Sequence, residues 1–276
     1  MGAGMSSSTQ DVPEKFYSSD FYADQSDASA VAASVVVPIV LELTAVNSVV
    51  DVGCGVGTWV AEFFSRGVRD VCGIDGDYVN RAQLRIPSEK FLARDLTQTV
   101  RLDRTVDLAV CLEVAEHLPE SRAKSLVADL TSLAPCVLFS AAVPGQGGTN
   151  HINEQFLSYW IELFKANGYT GIDPIRPRIL GNKLVGWWYQ QNIVMFVAPG
   201  HPLLNNNYAS AKDFVHLYLY ERFRSTPGLK LLVSNFIANF PGAFQRSFRC
   251  YFERKRRYRA RRMQERADAA QTARAK

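Results

Sequence analysis

The chain is predicted to fold as an α/β domain, a mostly parallel sheet with helices on both faces, and three observations predict it. Apolar runs of strand length alternate with longer helix-like segments between residues 48 and 141, the order expected of successive βαβ units. A glycine-rich turn, Asp51-Val-Gly-Cys-Gly-Val-Gly57, joins the first run to a helix-like segment. Asp51, Asp75, Asp95 and Cys111-Leu112 fall at the carboxyl ends of successive runs, where ligands bind in sheets of this kind.

Each element follows from local pattern. Residues 1–12 are Gly/Ser-rich and expected to be disordered. Phe16-Tyr17 and Phe21-Tyr22 flank a small polar turn, and a helix is expected over 27–45, capped by Ser26 or Asp27. Residues 48–52 read as a buried strand and 57–66 as the helix after the glycine turn. A strand at 71–75, a helix at 77–84, strands at 90–94 and 106–111, a helix at 120–133 and a strand at 136–141 follow. The Gly-rich stretch from Pro144 to Gln155 is a loop closing onto a helix over 154–167, with Asn150 or Asn153 as cap and His151 at its opening. A sixth strand begins near Gly171, and 187–197 reads as the last strand. This places one domain at 13–200 with a helical leader, and a helical, basic extension at 201–276, with helices over 209–225 and 229–263.

The glycines at 53, 55 and 57 leave no Cβ in the way, so a ligand can lie on the backbone. A dinucleotide turn needs G-x-G-x-x-G. Here the pattern is G-x-G-x-G, with Asp51 two residues before the first glycine. A carboxylate there repels a pyrophosphate and suits a ligand with a cationic end. Asp75 is well placed for a ribose diol.

Together these segments resemble the class I methyltransferases that depend on S-adenosyl-L-methionine (SAM), whose motif I is a strand, a glycine turn and a helix. Leu112-Glu-Val-Ala-Glu-His-Leu-Pro119 resembles the E-x-x-E-H segment after strand four in the small-molecule O-methyltransferase branch, which includes the ubiquinone-biosynthesis enzymes. The resemblance spans about residues 47–198 and implies a Rossmann-like, seven-stranded sheet ending in an antiparallel pair. It implies that Asp51, Gly53, Gly55 and Gly57 hold the methionine end of SAM, Asp75 the ribose, and Asp95 with Leu96 the adenine. Cys111 and Glu113 complete the expected cofactor edge.

A hydroxyl acceptor benefits from a base that removes its proton, and histidine suits that role near neutral pH. His117, just past strand four, and His151, after the strand-five loop, are the candidates; the alternatives are packing beside the ligand and loop closure. No resident metal is assigned. Glu113, Glu116 and His117 would share one face of a helical turn and are the residues that could take a divalent cation. The Asn/Asp-Pro-Pro-Tyr turn of base N-methyltransferases is missing, since that place reads Cys111-Leu112-Glu113-Val114. Trp187-Trp188-Tyr189 suits either an acceptor pocket or the sheet core.

Composition fits a globular enzyme, with 47% hydrophobic and 21% charged residues and no apolar run long enough to span a bilayer. Five cysteines without a C-x-x-C pair are expected to be buried thiols in a reducing cytoplasm. The net charge of +4 hides an asymmetry, because residues 246–276 carry +9 and the rest −5. Arg254-Lys-Arg-Arg257 with Tyr251, Phe252 and Tyr258 suits a packed extension with a solvated end, an anionic membrane surface, a partner protein, or, less readily, RNA. The expectation is a SAM-dependent methyltransferase, cytoplasmic or peripheral at a membrane surface, acting on a small-molecule or glycan-like acceptor at oxygen. The alternatives are a nucleic-acid methyltransferase that uses the basic tail, and a non-catalytic nucleotide-binding protein.

Overall fold

Short runs of mostly apolar residues build the inner strands, and their successive side chains enter opposite faces of one sheet. The computed structural model describes residues 19–225. Its strands are β1 (Ser48–Val52), β2 (Asp70–Asp75), β3 (Phe91–Ala93), β4 (Leu108–Leu112), β5 (Cys136–Ser140), β6 (Thr170–Ile172) and β7 (Val194–Val197). They form a seven-stranded sheet in the order β3-β2-β1-β4-β5-β7-β6. β1 to β5 pair in parallel, while β7 is antiparallel to both β5 and β6.

The faces alternate residue by residue. On one, Val49, Leu108, Val110 and Leu138 pack with α1 (Ser19–Leu43) and α2 (Thr58–Ser65). On the other, Val50, Val52, Ala109 and Phe139 pack with α3 (Glu120–Leu133) and α4 (Leu157–Ala166). α3 offers Ala123, Leu126, Val127, Leu130 and Leu133, all buried at helical spacing. α4 brings Phe164 to stack on Phe196 of β7, with ring centroids 3.8 Å apart. Strand order reverses between β1 and β4, so a crevice opens at their carboxyl ends.

Several local expectations are corrected. α1 starts at Ser19 and runs through Phe21, Tyr22, Ser26 and Asp27, so no turn or cap sits there. Residues 77–84 form only a 3-10 turn at Arg81–Gln83, capped by the Asn80 side chain and stopped ahead of Pro87. Between residues 187 and 197 the first part is helix α6 (Trp187–Asn192), and only Val194–Val197 is strand. The reason is polar: Gln190, Gln191 and Asn192 are all buried and need side-chain partners, which a strand ladder through the apolar core does not supply.

Residues 209–216 are not helical either. Asp173 N donates to Ala209 O (2.8 Å) and Ala211 N to Gly171 O (3.0 Å), so this stretch runs along the free edge of β6. A four-residue helix, α5 (Arg176–Ile179), follows β6. Residues 19–216 lie in one compact unit, and α7 (Leu217–Ser225) belongs to a second. The expectations for residues 1–12, for Phe16-Tyr17 and for the basic helix over 229–263 lie outside the described residues. No helix among the described residues is long and apolar enough to cross a membrane.

Candidate active site

The glycine turn leaves β1 with Gly53, Gly55 and Gly57 at φ of 85°, 54° and 82°, a region L side chains avoid. Gly53 N and Cys54 N both donate to Ile74 O (2.8 and 3.2 Å), which ties the turn to β2. An added Cβ on Gly53 would stand 2.3 Å from Val114, so the turn also packs against the segment after β4.

Two buried carboxylates, Asp51 and Asp75, lie close enough for the charge of one to act on the other. Asp75, 5% exposed, accepts from Gly55 N through Oδ2 (2.6 Å) and from Gly76 N (2.6 Å) and the Tyr78 hydroxyl (2.5 Å) through Oδ1. Burial raises its pKa against the pull of those three bonds. Asp51 is 2% exposed, and its Oδ2 has no hydrogen-bond partner among the described residues. Burial, and then the charge of Asp75, push the Asp51 carboxyl well above the usual carboxylate range. Asp51 is thus a buried acceptor poised for a positive charge, and such groups cluster at functional sites.

Asp95 is exposed after β3 and accepts from Thr97 N (2.9 Å) and Thr97 Oγ1 (2.7 Å) in a local turn. Leu96 is buried, and its carbonyl accepts from Arg122 Nε (2.9 Å). Cys111 lies within β4, opposite Phe139, and its fully buried thiol joins the core under α3 and α4. The strand runs one residue beyond the expected end, so its last residue is Leu112.

The segment after β4 departs from a helical turn. Glu113 has φ +55°, which breaks the helix, and only Ala115–His117 form a 3-10 turn. Glu113 Oε2 accepts from Gln146 Nε2 (2.8 Å) and Oε1 from Asn192 Nδ2 (3.1 Å). Burial raises the Glu113 pKa, opposed by its bonds to Asn192, Ser140 and Gln146. Gln191 continues the buried network, donating to Gln146 Oε1 (3.3 Å) and accepting from His216 N (2.8 Å).

Glu116 and the two histidines converge instead. Glu116 is fully buried with no hydrogen-bond partner for either carboxyl oxygen among the described residues. Burial and then the Glu113 charge raise it well above the ordinary range. Its backbone carbonyl accepts from Ile152 N (2.9 Å) and Asn153 N (3.0 Å), which docks the loop after β5 onto this turn. That docking explains why 151–156 stay extended, α4 starting only at Leu157, and why neither Asn150 nor Asn153 caps it. The His117 and His151 rings meet edge to face, 4.8 Å between centroids. His117 Nδ1 lies 3.3 Å from Asn150 O, and His151 Nδ1 lies 3.0 Å from Glu154 Oε1. One ligand-capable atom each of Glu116, His117 and His151 lies within 4.8 Å of the others. Burial, and then His151, lower the His117 pKa to about 4, so its ring is neutral at physiological pH.

Sequence reasoning reached Asp51, Asp75 and both histidines separately. It missed Tyr78, Arg122, Gln146 and Asn192, whose roles depend on partners distant in sequence or on one side-chain rotamer. The His117–His151 meeting spans 34 positions, and no periodicity signals it.

Residues 49–134, from β1 to the end of α3, match a family model described as a methyltransferase domain. No curated protein sequence matches the chain. Among solved structures, the chain is similar to a magnesium protoporphyrin IX methyltransferase from Synechocystis PCC 6803 with bound SAM. That match has 20% identity and a TM-score of 0.44, covering 63% of this chain and 80% of the other. An amino pentose methyltransferase from Micromonospora echinaspora, also SAM-bound, aligns at 16% identity and a TM-score of 0.47 over 66% of this chain and 97% of its own. An O-methyltransferase family protein from Burkholderia thailandensis aligns at 12% identity and a TM-score of 0.46, over 66% of this chain and 59% of its own. Residues 49–134 thus match a methyltransferase domain, carried on a Rossmann-like sheet of seven strands that ends in an antiparallel β7.

Proposed function

We propose that the enzyme methylates a hydroxyl oxygen on a small-molecule or glycan-like acceptor, and the observation that carries this reading is the His117–His151 pair beside the buried Glu116. The chain's residues fit SAM. Asp51 Oδ2, buried and unpartnered, suits the cationic methionine end. Asp75 suits the ribose diol, while Asp95 and Leu96 flank the adenine side. When bound, SAM supplies an electrophilic methyl group on a sulfonium.

The chain's own residues then position the acceptor, exclude water and manage one proton. Holding the nucleophile in line at about 3 Å provides much of the acceleration in such a displacement. His117 is neutral in the working range and can take the acceptor's proton. Glu154 holds His151 through Nδ1 while its oxygens also accept from Gly145 N and Gly147 N, so one carboxylate sets both the ring and the loop.

A second reading of the same cluster is a divalent cation held by Glu116, His117 and His151. Two unpartnered carboxyl oxygens next to two imidazoles favour it. Glu113 is engaged by two amides instead, so the candidate set differs from the one expected from spacing.

Tritiated SAM with pools of phenols, catechols, sugars and RNA tests the proposal. Label on a hydroxyl compound, lost in His117→Ala and reduced in His151→Ala, supports it; label on RNA alone overturns it. Retained activity after EDTA, with no Mg²⁺ or Zn²⁺ detected by calorimetry, removes the cation reading. The basic segment, which could dock on a membrane surface or a partner, lies outside the described residues; flotation with anionic liposomes tests it.

A further inference from the structure

Asp75 has room for one more donor but not for two. A carboxylate offers about four acceptor positions, and three are already taken by Gly55 N, Gly76 N and the Tyr78 hydroxyl. A ribose diol brings two donors, so one present donor must leave before both can bind. Gly55 N is held by a turn whose neighbours, Gly53 N and Cys54 N, are bonded to Ile74 O. Gly76 N belongs to the residue next to Asp75 and cannot move without breaking the end of β2. Tyr78 is the remaining donor, on a residue 59% exposed. Its ring lies so close to Gly76 that a Cβ there would stand 2.1 Å from Cε1.

We propose that the Tyr78 hydroxyl is a built-in stand-in for one ribose hydroxyl, covering Asp75 in the free enzyme and displaced when SAM or its product binds. This rests on the reading of Asp75 as the ribose acceptor. The covering bond keeps a buried carboxylate satisfied between turnovers. It also opposes SAM and S-adenosylhomocysteine equally, so it loosens the product as well as the substrate. Gly76 is what lets the ring fold back, since any side chain there would meet it.

Calorimetry with S-adenosylhomocysteine on the full chain tests this with Tyr78→Phe and Asp75→Ala. Tyr78→Phe keeps the ring and removes only the competing hydroxyl. It is expected to bind about 3- to 10-fold more tightly than wild type, the scale of one hydrogen bond, with an unfolding midpoint that is slightly lower because the free state has lost that bond. Because the expected effect is a gain, damage to the fold cannot imitate it. Binding by Tyr78→Phe that is equal to or weaker than wild type, while Asp75→Ala loses binding, overturns the proposal and leaves the ribose assignment standing. Wild-type binding by Asp75→Ala overturns that assignment, and the proposal with it.

Discussion

Arg122 and Asp129, both on α3, form a buried ion pair that holds the loop after β3 by its backbone. Arg122 donates from Nε to Leu96 O (2.9 Å) and from its terminal nitrogen to Gln98 O (2.8 Å), and Asp129 Oδ2 accepts from Val100 N (2.9 Å). Three backbone groups of this loop therefore depend on two side chains from α3. Removing one member leaves the other charge buried without its partner, at a cost of about 3–5 kcal/mol. Arg122→Ala is expected to lower stability to urea by that amount and to raise KM for SAM more than it lowers kcat. A variant with wild-type stability, or with kcat lost and KM unchanged, would contradict the loop-holding role.

Asp51 is expected to trade stability against binding. Its pKa is raised in the folded state, by burial and then by Asp75, so the unfolded chain gives up this proton at lower pH. This group's contribution to stability is therefore lost as pH climbs from the ordinary carboxylate value through the raised one. Asp51→Asn removes that penalty and is expected to raise the unfolding midpoint at neutral pH while abolishing SAM binding. Calorimetry of the wild type in buffers of differing ionisation enthalpy should show proton release when SAM binds in the acid range. A variant that still binds SAM, or no proton release at any acidic pH, sinks the assignment.

How much of this was legible before folding depends on the range of the signal. β1, β2, β4 and β5 were readable within two residues because each is a short apolar run bounded by turn residues, and α3 because its buried stripe has helical period. Trp187-Trp188-Tyr189 misled for the opposite reason. Aromatics favour strands on average, yet here Gln190 fixes a helical turn by donating to Asn182 O and Val185 O. The candidate site divides along the same line. Asp51, the glycines and Asp75 sit at strand ends and announce themselves, whereas the Glu116–His117–His151 cluster and the Arg122 bonds to the 96–100 loop exist only after long-range packing.

Glu113 gives a test of the buried amide network. Its two oxygens accept from the amides of Gln146 and Asn192, so a group carrying its own N–H bonds there would set donor against donor. Glu113→Gln keeps the shape and is expected to cost about 1–3 kcal/mol, the penalty of an unsatisfied buried polar group. Glu113→Gly would lose the same bonds but relieve the φ of +55°. Urea midpoints that leave Glu113→Gln equal to wild type would show that the carboxylate is not the acceptor at the centre of the network.

The histidine pair makes a prediction about pH. Burial and the neighbouring His151 hold His117 at about 4, against an ordinary value near 6.5. If neutral His117 takes the acceptor proton, kcat is flat through the neutral range and falls only as pH drops toward about 4. His151→Ala removes the second-largest cause of the shift, so the acid limb of the remaining activity should move upward, toward the ordinary histidine value. His117→Ala should lose activity by about 10²–10⁴-fold, the usual contribution of a general base. Its urea midpoint should change far less, because the ring is only partly buried. A wild-type acid limb near the ordinary histidine value, or one that stays in place in His151→Ala, would show that the rate reports some other group.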